Sequence, residues 1–196
     1  MRLAVFGGAG RTGRLAVDRA LERGHDLVAL VRRPDAGLPP GVTPVVGDAR
    51  DPAVLDRVLD GAQGVMSVMA IQAGTEPTTE LSDATRAIAE AMHARGISRL
   101  VVTTNASVFH DREVADPYRI VALEHRRNVA MLRESPLAWT VLAPRFLTDD
   151  DAAGRYDAAI DAAAPGGSIT RADLAAAVVD ALERDDWIGH VVGVSS

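Results

Sequence analysis

The sequence predicts a single α/β domain over residues 1–196, built on a doubly wound parallel sheet. Short apolar segments alternate with amphipathic helical segments along the chain, which is typical of β-α units around a parallel sheet. A glycine-rich turn joins the first strand to the first helix. With 196 residues, of which 47% are hydrophobic, the chain suits one domain with a sizeable core.

The composition excludes several classes of protein. There are no cysteines, so disulfides, thiolate metal sites and a cysteine nucleophile are excluded. No apolar run approaches the roughly 20 residues of a membrane helix. The net charge of −6 argues against a general nucleic-acid binder. We therefore expect a cytoplasmic protein that acts on a small-molecule substrate and has neither a nucleic acid nor a membrane as its partner.

The N-terminal segment predicts a dinucleotide site. The strand Leu3–Phe6 runs into Gly7, Gly10 and Gly13, and a helical pattern begins at Arg14. The first glycine allows a sharp turn, the second allows close approach of a pyrophosphate, and the third allows close packing of helix on strand. The helix N-terminus then offers unpaired N–H groups to the phosphates. The alternative is a glycine turn without a ligand.

The second strand, Asp26–Val31, is followed at once by Arg32 and Arg33. An acidic residue at this position would bind the ribose hydroxyl of NAD, whereas a guanidinium suits the 2′-phosphate of NADP. Arg11 in the glycine loop adds to the same positive charge. The pattern therefore favours NADPH as the cofactor, the alternative being a solvated arginine pair at the start of a loop.

The third strand, Thr43–Val46, ends at Gly47 and Asp48. Asp51 is the predicted N-cap of a helix over Pro52–Leu59. In related dinucleotide folds an aspartate in the place of Asp48 accepts a hydrogen bond from the adenine amino group. It is equally explained as a turn residue after a strand.

The remaining segments continue the alternation of strands and helices. Loops after the fourth and fifth strands, which begin at Ala70 and Thr104, should face the cofactor. No regular element is expected in the acidic loop 148–151 or the alanine-rich stretch 154–164. The further predicted strands are Gly64–Met69, Arg99–Thr103, Trp139–Ala143, Ser168–Thr170 and His190–Val194, and the further helices are Thr78–Arg95, Tyr118–Glu134 and Arg171–Arg184.

Short-chain dehydrogenases commonly use a tyrosine followed four residues later by a lysine. All 21 Lys and Arg residues of this chain are arginines, and the residues four positions after Tyr118 and Tyr156 are Ala122 and Ile160. Alcohol chemistry by that route is therefore excluded. Hydride transfer to a flavin or another conjugated acceptor stays open, because such acceptors need little acid–base help from the protein.

The five histidines are His25, His93, His110, His125 and His190, and none has metal-ligand spacing with a second ligand. We therefore expect no metal site. His93 and His125 fall in predicted helices and are expected at the surface. His110 is the histidine expected near the pocket. No G-x-S-x-G nucleophile elbow is present.

Several motifs together carry a family resemblance. The motifs are FGGAGRTG at 6–13, LVR at 30–32, VVGD at 45–48, EPTTELSDATRAIAEAM at 76–92 and MLRES at 131–135. The chain resembles the biliverdin-IXβ reductase/flavin reductase family of atypical short-chain reductases, with NmrA-like proteins as wider relatives. The resemblance covers nearly the whole chain. It implies a Rossmann-fold, NADPH-dependent reductase of flavins and related planar acceptors, monomeric or weakly dimeric, whose substrate pocket is formed by the C-terminal third.

The resemblance also implies where the cofactor lies. Arg32, with Arg33 near it, would bind the 2′-phosphate, and Asp48 and Ala49 would border the adenine. The loops at Ala70 and Thr104 would lie along the nicotinamide half. The pyrophosphate would lie against Gly7, Gly10, Arg11, Thr12 and Gly13.

The residues expected next to the reacting groups depart from the family pattern. A Thr-Ser pair of the family falls on Asn105 and Ala106, with Ser107 one place later. We therefore assign Asn105 and Ser107 as candidate catalytic residues. A family histidine after the strand-six proline is Arg145 here, a third candidate that would suit an anionic acceptor such as FMN. The alternative for Arg145 is a surface ion pair with Asp149 or Asp150. A second family histidine falls close to Asn128 and Val129.

Two other functions remain open from the sequence. One is an NmrA-like sensor that binds NADP(H) without catalysis, which the low aromatic content of 4% mildly favours because flavin pockets use stacking partners. The other is a reductase of a quinone or a specialised metabolite.

Overall fold

The computed structural model describes residues 1–72, 74, 76–110, 114–115 and 117–196. Within these ranges the helices are α1 Arg11–Glu22, α2 Pro52–Val58, α3 Glu80–Ala94, α4 Arg119–Arg133 and α5 Arg171–Ala181. The strands are β1 Arg2–Phe6, β2 Asp26–Val31, β3 Val42–Val46, β4 Gly64–Ser67, β5 Arg99–Thr103, β6 Ala138–Pro144, β7 Phe146–Thr148, β8 Asp157–Ile160, β9 Ser168–Thr170 and β10 His190–Ser195.

The main sheet has eight strands in the order β3-β2-β1-β4-β5-β6-β10-β8. All neighbours in it are parallel except β8, which pairs antiparallel to β10 at the edge. The order reverses on either side of β1, so the doubly wound α/β prediction is confirmed. A second, two-stranded sheet pairs β7 with β9.

Helices cover both faces of the sheet, and β1 shows how the sequence produces this. Its residues Leu3–Phe6 are all fully buried. Leu3 and Val5 pack with α1 and α5 on one face, whereas Ala4 and Phe6 pack with α2, α3 and α4 on the other. Alternate side chains of a strand point to opposite faces, so a strand buried on both sides is apolar throughout.

The first helix begins at Arg11, three residues before the predicted start. Gly10 is its N-cap in an extended conformation, and Gly7 turns the chain off β1 with a φ of +80°. A Cβ on Gly13 would overlap the carbonyl oxygen of Gly7. Thr12 and Gly13 lie in the first turn of α1, and this turn packs directly against the backbone of the glycine loop at Gly7.

A buried carboxylate joins α3 to α4. Glu124 of α4 is fully buried and accepts hydrogen bonds from the backbone N–H and the hydroxyl of Ser82, at 3.0 and 3.1 Å. Arg127 Nη1 donates to the same carboxylate at 2.7 Å. The N–H of Ser82 lies in the first turn of α3, where helical N–H groups have no partner within the helix. Glu124 thus caps α3 from the neighbouring helix.

The C-terminal part contains two strands, β7 and β8, where none was predicted. β8 is a mostly exposed edge strand with the sequence Asp-Ala-Ala-Ile. Apolar and polar residues do not alternate in it, so the sequence carries no periodic signal of a strand. Asp173 of α5 holds the loop between β7 and β8: its carboxylate accepts from the N–H groups of Ala153 and Gly154, both at 3.0 Å.

No helix of the described residues is long and apolar enough to cross a membrane.

Candidate functional site

A large cleft opens at the carboxyl ends of the parallel strands. Its volume is about 1170 Å³, above the range of about 300–1,000 Å³ that small-molecule sites usually occupy. It extends from the ends of β2 and β3, past the glycine loop after β1, to the ends of β5 and β6. Open parallel sheets bind their ligands at this edge, where the strand order reverses.

Most of the residues predicted for cofactor binding or catalysis lie together in this cleft. Ser107 and Arg145 are outside the described lining. The predicted residues that do line the cleft are Gly7, Gly10, Arg11, Thr12, Gly13, Arg32, Arg33, Asp48, Ala49, Ala70, Thr104 and Asn105.

The N-terminus of α1 has the features of an anion-binding helix end. Its N-cap, Gly10, has no side chain to accept from the first-turn N–H groups, and the first turn contains no acidic residue. Unpaired N–H groups and the helix dipole both favour negative charge at such a position. A phosphate in the cleft would supply that charge.

Arg14 braces the loops at the end of the cleft that lies beside β2 and β3. Its guanidinium donates to the carbonyl oxygens of Ala9, Ala36 and Gly37, at 3.1, 2.6 and 3.0 Å. These bonds tie the glycine loop to the loop after β2. Arg32, at the end of β2, stays exposed on the cleft, where its guanidinium can reach a ligand.

Asp48 is engaged by a neighbouring arginine. Arg50 donates its backbone N–H and its Nε–H to Oδ1 of Asp48, at 2.8 and 2.9 Å, and its Nη2 to Oδ2 at 2.7 Å. These hydrogen bonds lower the pKa of Asp48 to about 2. The carboxylate is therefore ionised at neutral pH and presents its remaining acceptor capacity to the cleft.

At the other end of the cleft, Thr104 and Asn105 follow β5. Thr104 is buried and donates its N–H to Leu142 of β6 at 2.8 Å. The Oδ1 of Asn105 accepts from the N–H of Ser107 at 3.0 Å and also from the Ser107 hydroxyl. The hydroxyl of Ser107 is thus bound to its own loop. Its catalytic role stays a prediction.

Arg145 follows β6 but turns away from the cleft lining. Its Nε–H donates to the carbonyl oxygen of Ala164 at 2.9 Å, and its N–H donates to Val194 of β10 at 3.1 Å. Asp149, expected as an ion-pair partner of Arg145, instead pairs with Arg11 and Arg171. The proposed contact between Arg145 and an anionic acceptor stays a prediction.

The expectation of a surface position for His125 is wrong. His125 of α4 is only 4% exposed and lines the cleft beside Val121. Burial lowers its pKa to about 4, so the imidazole is neutral at physiological pH. His110, the histidine expected near the pocket, is outside the described lining. The buried positions His125, Val129 and Leu132 recur at helical spacing along α4, and this spacing is the signal that could have identified His125 as inward-facing.

A second buried polar side chain lies one turn further along α4. Asn128 is fully buried, and neither amide atom of Asn128 nor Nδ1 of His125 has a hydrogen-bond partner among the described residues. Residues three positions apart lie on the same helix face. Unpaired buried polar groups are costly and typically mark sites that a ligand or water completes.

Neither tyrosine offers an acid at the cleft. Tyr118 is 62% exposed. The Tyr156 hydroxyl donates to Asp180 at 2.8 Å, and burial together with this carboxylate raises the pKa of Tyr156. The described cleft lining contains neither residue.

Solved structures of several bacterial proteins share this fold. A Burkholderia pseudomallei protein named as exported is 25% identical, with a TM-score of 0.86 and 100% of both chains covered. ChuY, an anaerobillin reductase of Escherichia coli O157:H7, is 22% identical with a TM-score of 0.84, covering 100% of this chain and 97% of ChuY. A Veillonella parvula short-chain dehydrogenase/reductase in complex with NADP is 18% identical with a TM-score of 0.79, covering 100% and 94%.

Curated relatives match over a shorter stretch. Uncharacterised proteins of Mycobacterium bovis and Mycobacterium tuberculosis are 30% identical over 106 residues, which is 54% of this chain and 12% of theirs. A family match is much more extensive and covers residues 7–185 with the description NAD(P)H-binding. Because this match runs through the whole cleft described above, the chain belongs to the NAD(P)H-binding family.

Proposed function

We propose that the protein is an NADP(H)-dependent oxidoreductase that transfers hydride to a planar conjugated acceptor such as a flavin. The observation that carries the proposal is the arrangement of one continuous cleft. Arg32 and Arg33 lie at its adenosine end, the uncapped start of α1 at its middle, and His125 with Thr104 and Asn105 at its far end. These are the positions at which a dinucleotide needs a 2′-phosphate contact, a pyrophosphate contact and a reaction pocket.

The residues present fit NADPH. Arg32 binds the 2′-phosphate through its guanidinium fork, with Arg33 beside it. The free N–H groups at the start of α1 bind the pyrophosphate, and the absence of a side chain at Gly10 leaves room for it. The carboxylate of Asp48 and the backbone at Ala49 border the adenine.

The far end of the cleft suits an acceptor that needs little proton chemistry. When bound, NADPH supplies the hydride. Thr104 and Asn105 would hold the nicotinamide half at this end of the cleft, and the neutral imidazole of His125 would orient a polar group of the bound molecules. With no lysine in the chain and Tyr156 bonded elsewhere, the protein contributes binding and orientation.

Three finer features belong to the same proposal. They are membership of the biliverdin-IXβ reductase/flavin reductase group, a monomeric or weakly dimeric state, and a cytoplasmic location. The resemblance of the motifs supports the first two, and the composition supports the third. Reduction of an anaerobillin by ChuY, which shares the fold, supports a conjugated tetrapyrrole as a further acceptor class.

The test is steady-state oxidation of NADPH in the presence of FMN, riboflavin, quinones and biliverdin, with calorimetry of NADPH binding alongside. We expect binding of NADPH in preference to NADH and turnover with at least one flavin. Turnover with a quinone alone would replace the flavin by that acceptor class.

A sensor without catalysis is the second candidate. The observation that favours it is the absence of Phe, Tyr and Trp from the described lining of the cleft, since these side chains stack on flavins. A protein that binds NADPH but oxidises it with none of the acceptors would be such a sensor.

A further inference from the structure

An acidic side chain sits between two arginines of the cleft. Asp149, in the loop after β7, accepts through Oδ1 from Arg171 Nε at 2.8 Å and through Oδ2 from Arg11 Nη2. Arg171 also places Nη1 3.4 Å from the Thr12 hydroxyl. Both arginines line the cleft, and Arg11 and Thr12 belong to the first turn of α1. The ion pairs therefore join the loop after β7 and the start of α5 to the cofactor end of α1.

The three side chains differ in how firmly they are held. The Arg171 side chain is 17% exposed, whereas those of Asp149 and Arg11 are 61% and 66% exposed. Arg171 is the first residue of α5, whose start is capped by the Thr170 hydroxyl and which packs along α1. Asp149 is a short side chain on an exposed loop. Arg171 is thus fixed at the cleft, and Asp149 can rotate away.

The position of Asp149 is electrostatically that of an anionic ligand. The start of α1 has neither a capping side chain nor an acid of its own, so the negative charge brought to it is the carboxylate of Asp149. A phosphate favours the same surroundings, namely two guanidiniums beside a helix N-terminus. One carboxylate and one pyrophosphate cannot both take the full donor set of the two arginines.

We propose that Arg171 is a second cationic ligand of the cofactor pyrophosphate, opposite the glycine loop, and that Asp149 occupies its guanidinium until the pyrophosphate displaces it. Exposed ion pairs contribute little to stability, so releasing Asp149 opposes binding only weakly. Bidentate contacts between arginine and phosphate are among the stronger hydrogen bonds. The exchange therefore favours the bound cofactor, and this inference rests on the proposed binding of NADP(H).

The test uses calorimetry on the full chain with two probes, NADPH and adenosine 2′-phosphate, which has no pyrophosphate. We expect Arg171→Met to weaken NADPH binding about tenfold or more and to leave adenosine 2′-phosphate unchanged. Arg171→Lys, which keeps the charge but loses the fork, should fall between wild type and Arg171→Met. Asp149→Asn should tighten NADPH binding by about two- to fivefold, the range of an exposed ion pair.

Arg23→Met is the matched control. Arg23 joins the opposite ends of the same two helices, since its Nη2 donates to Asp180 of α5 at 2.6 Å. The Arg23→Met substitution removes the same charge together with the two ion pairs that Arg23 makes, to Asp180 and Glu183, and we expect unchanged binding of both probes.

The outcomes separate this inference from the proposed function. A wild-type protein that does not bind NADPH would overturn the proposed function itself. Wild-type binding with unaltered affinity in Arg171→Met, or equal losses for both probes, would overturn the role of Arg171. Weaker NADPH binding by Asp149→Asn would overturn the competition, because it would mean that Asp149 supports the bound state. If Arg171→Met does not fold, Arg171→Lys and Asp149→Asn decide the question.

Discussion

At the scale of single residues, the cofactor preference depends on the two arginines after β2. Both side chains are exposed at the cleft. The Arg33 side chain is 80% exposed, and its Nε lies 3.9 Å from Oδ1 of Asp35, so part of its charge faces that carboxylate. We expect Arg32→Met to weaken NADPH binding by about tenfold, because a charge-assisted fork to a phosphate is lost. NADH binding, measured in the same calorimeter, should change little. Equal losses for the two cofactors would contradict the assignment, and Arg33→Met should have the smaller effect.

His125 makes the stability of the protein depend on pH in a defined direction. Its pKa is about 4 in the folded protein and 6.5 in the unfolded chain. Between these values the unfolded chain binds a proton that the folded protein excludes, so the free energy of unfolding falls as the pH falls below 6.5. We expect this group to contribute a loss of about 2 kcal/mol between roughly pH 7.5 and pH 5.

The measurement is urea unfolding of the wild type and of His125→Gln at both pH values. Between roughly pH 7.5 and pH 5 the free energy of unfolding of His125→Gln should fall by about 2 kcal/mol less than that of the wild type. His93→Gln, which changes an exposed histidine of α3, is the control and should behave like the wild type. A His125→Gln variant with the wild-type pH dependence would mean that His125 does not exclude the proton.

At the scale of elements, the turn from β1 to α1 separates folding from cofactor binding. A Cβ on Gly10 would meet only the Gly7 carbonyl oxygen, at 3.3 Å, and the Gly10 backbone is extended. A Cβ on Gly13 would overlap that same oxygen. We therefore expect Gly10→Ala to keep the melting temperature nearly unchanged while weakening NADPH binding, and Gly13→Ala to lower the melting temperature itself.

Thermal unfolding and calorimetry of the two alanine variants, side by side, check this. A Gly10→Ala variant that binds NADPH as tightly as wild type would show that the pyrophosphate does not approach this backbone. A Gly13→Ala variant of unchanged stability would show that the turn can open without cost.

The joint between α3 and α4 is the second element-scale feature. Removing the Glu124 carboxylate leaves the buried N–H of Ser82 without its acceptor, and the Ser82 hydroxyl then keeps only the Thr79 carbonyl oxygen, at 3.1 Å. We expect Glu124→Ala to lower the free energy of unfolding by about 2–4 kcal/mol, from the lost cap and the unpaired groups. Glu134→Ala, after the end of α4, is the matched control in the same urea titration. A loss of similar size in both variants would contradict the capping role.

At the scale of the whole molecule, a negatively charged protein carries a cleft rich in positive charge. The net charge is −6, yet the described lining contains Arg11, Arg14, Arg32, Arg33, Arg50 and Arg171. Attraction of an anionic cofactor to this cleft is screened by salt. We expect the affinity for NADPH to fall with rising ionic strength, and more steeply than the affinity for NADH, which has fewer charges. Parallel slopes in calorimetry across a salt series would contradict a direct contact with the 2′-phosphate.

The sequence by itself determined the parts of this protein that depend on neighbouring residues. The strand, glycine turn and helix at the N-terminus follow from local apolar runs and glycine conformation. Arg32 and Arg33 reach the cleft because they come directly after β2, and all parallel strands end at the same edge of the sheet. Asp51 caps α2 as expected, accepting from the N–H of Ala53 at 2.9 Å. Periodicity and position along a strand were sufficient in each case.

The tertiary structure alone decided the features that join distant segments. Helical spacing places His125 on the same side of α4 as Val129 and Leu132, but only the docking of α4 decides that its imidazole lines the cleft. Asp149 pairs with Arg171 and with Arg11, and more than a hundred residues separate Asp149 from Arg11 in the sequence. The edge strand β8 has no pattern of its own and forms because β10 offers it a free edge. Such contacts depend on how helices and strands distant in the sequence pack together, and local residue patterns carry no information about that packing.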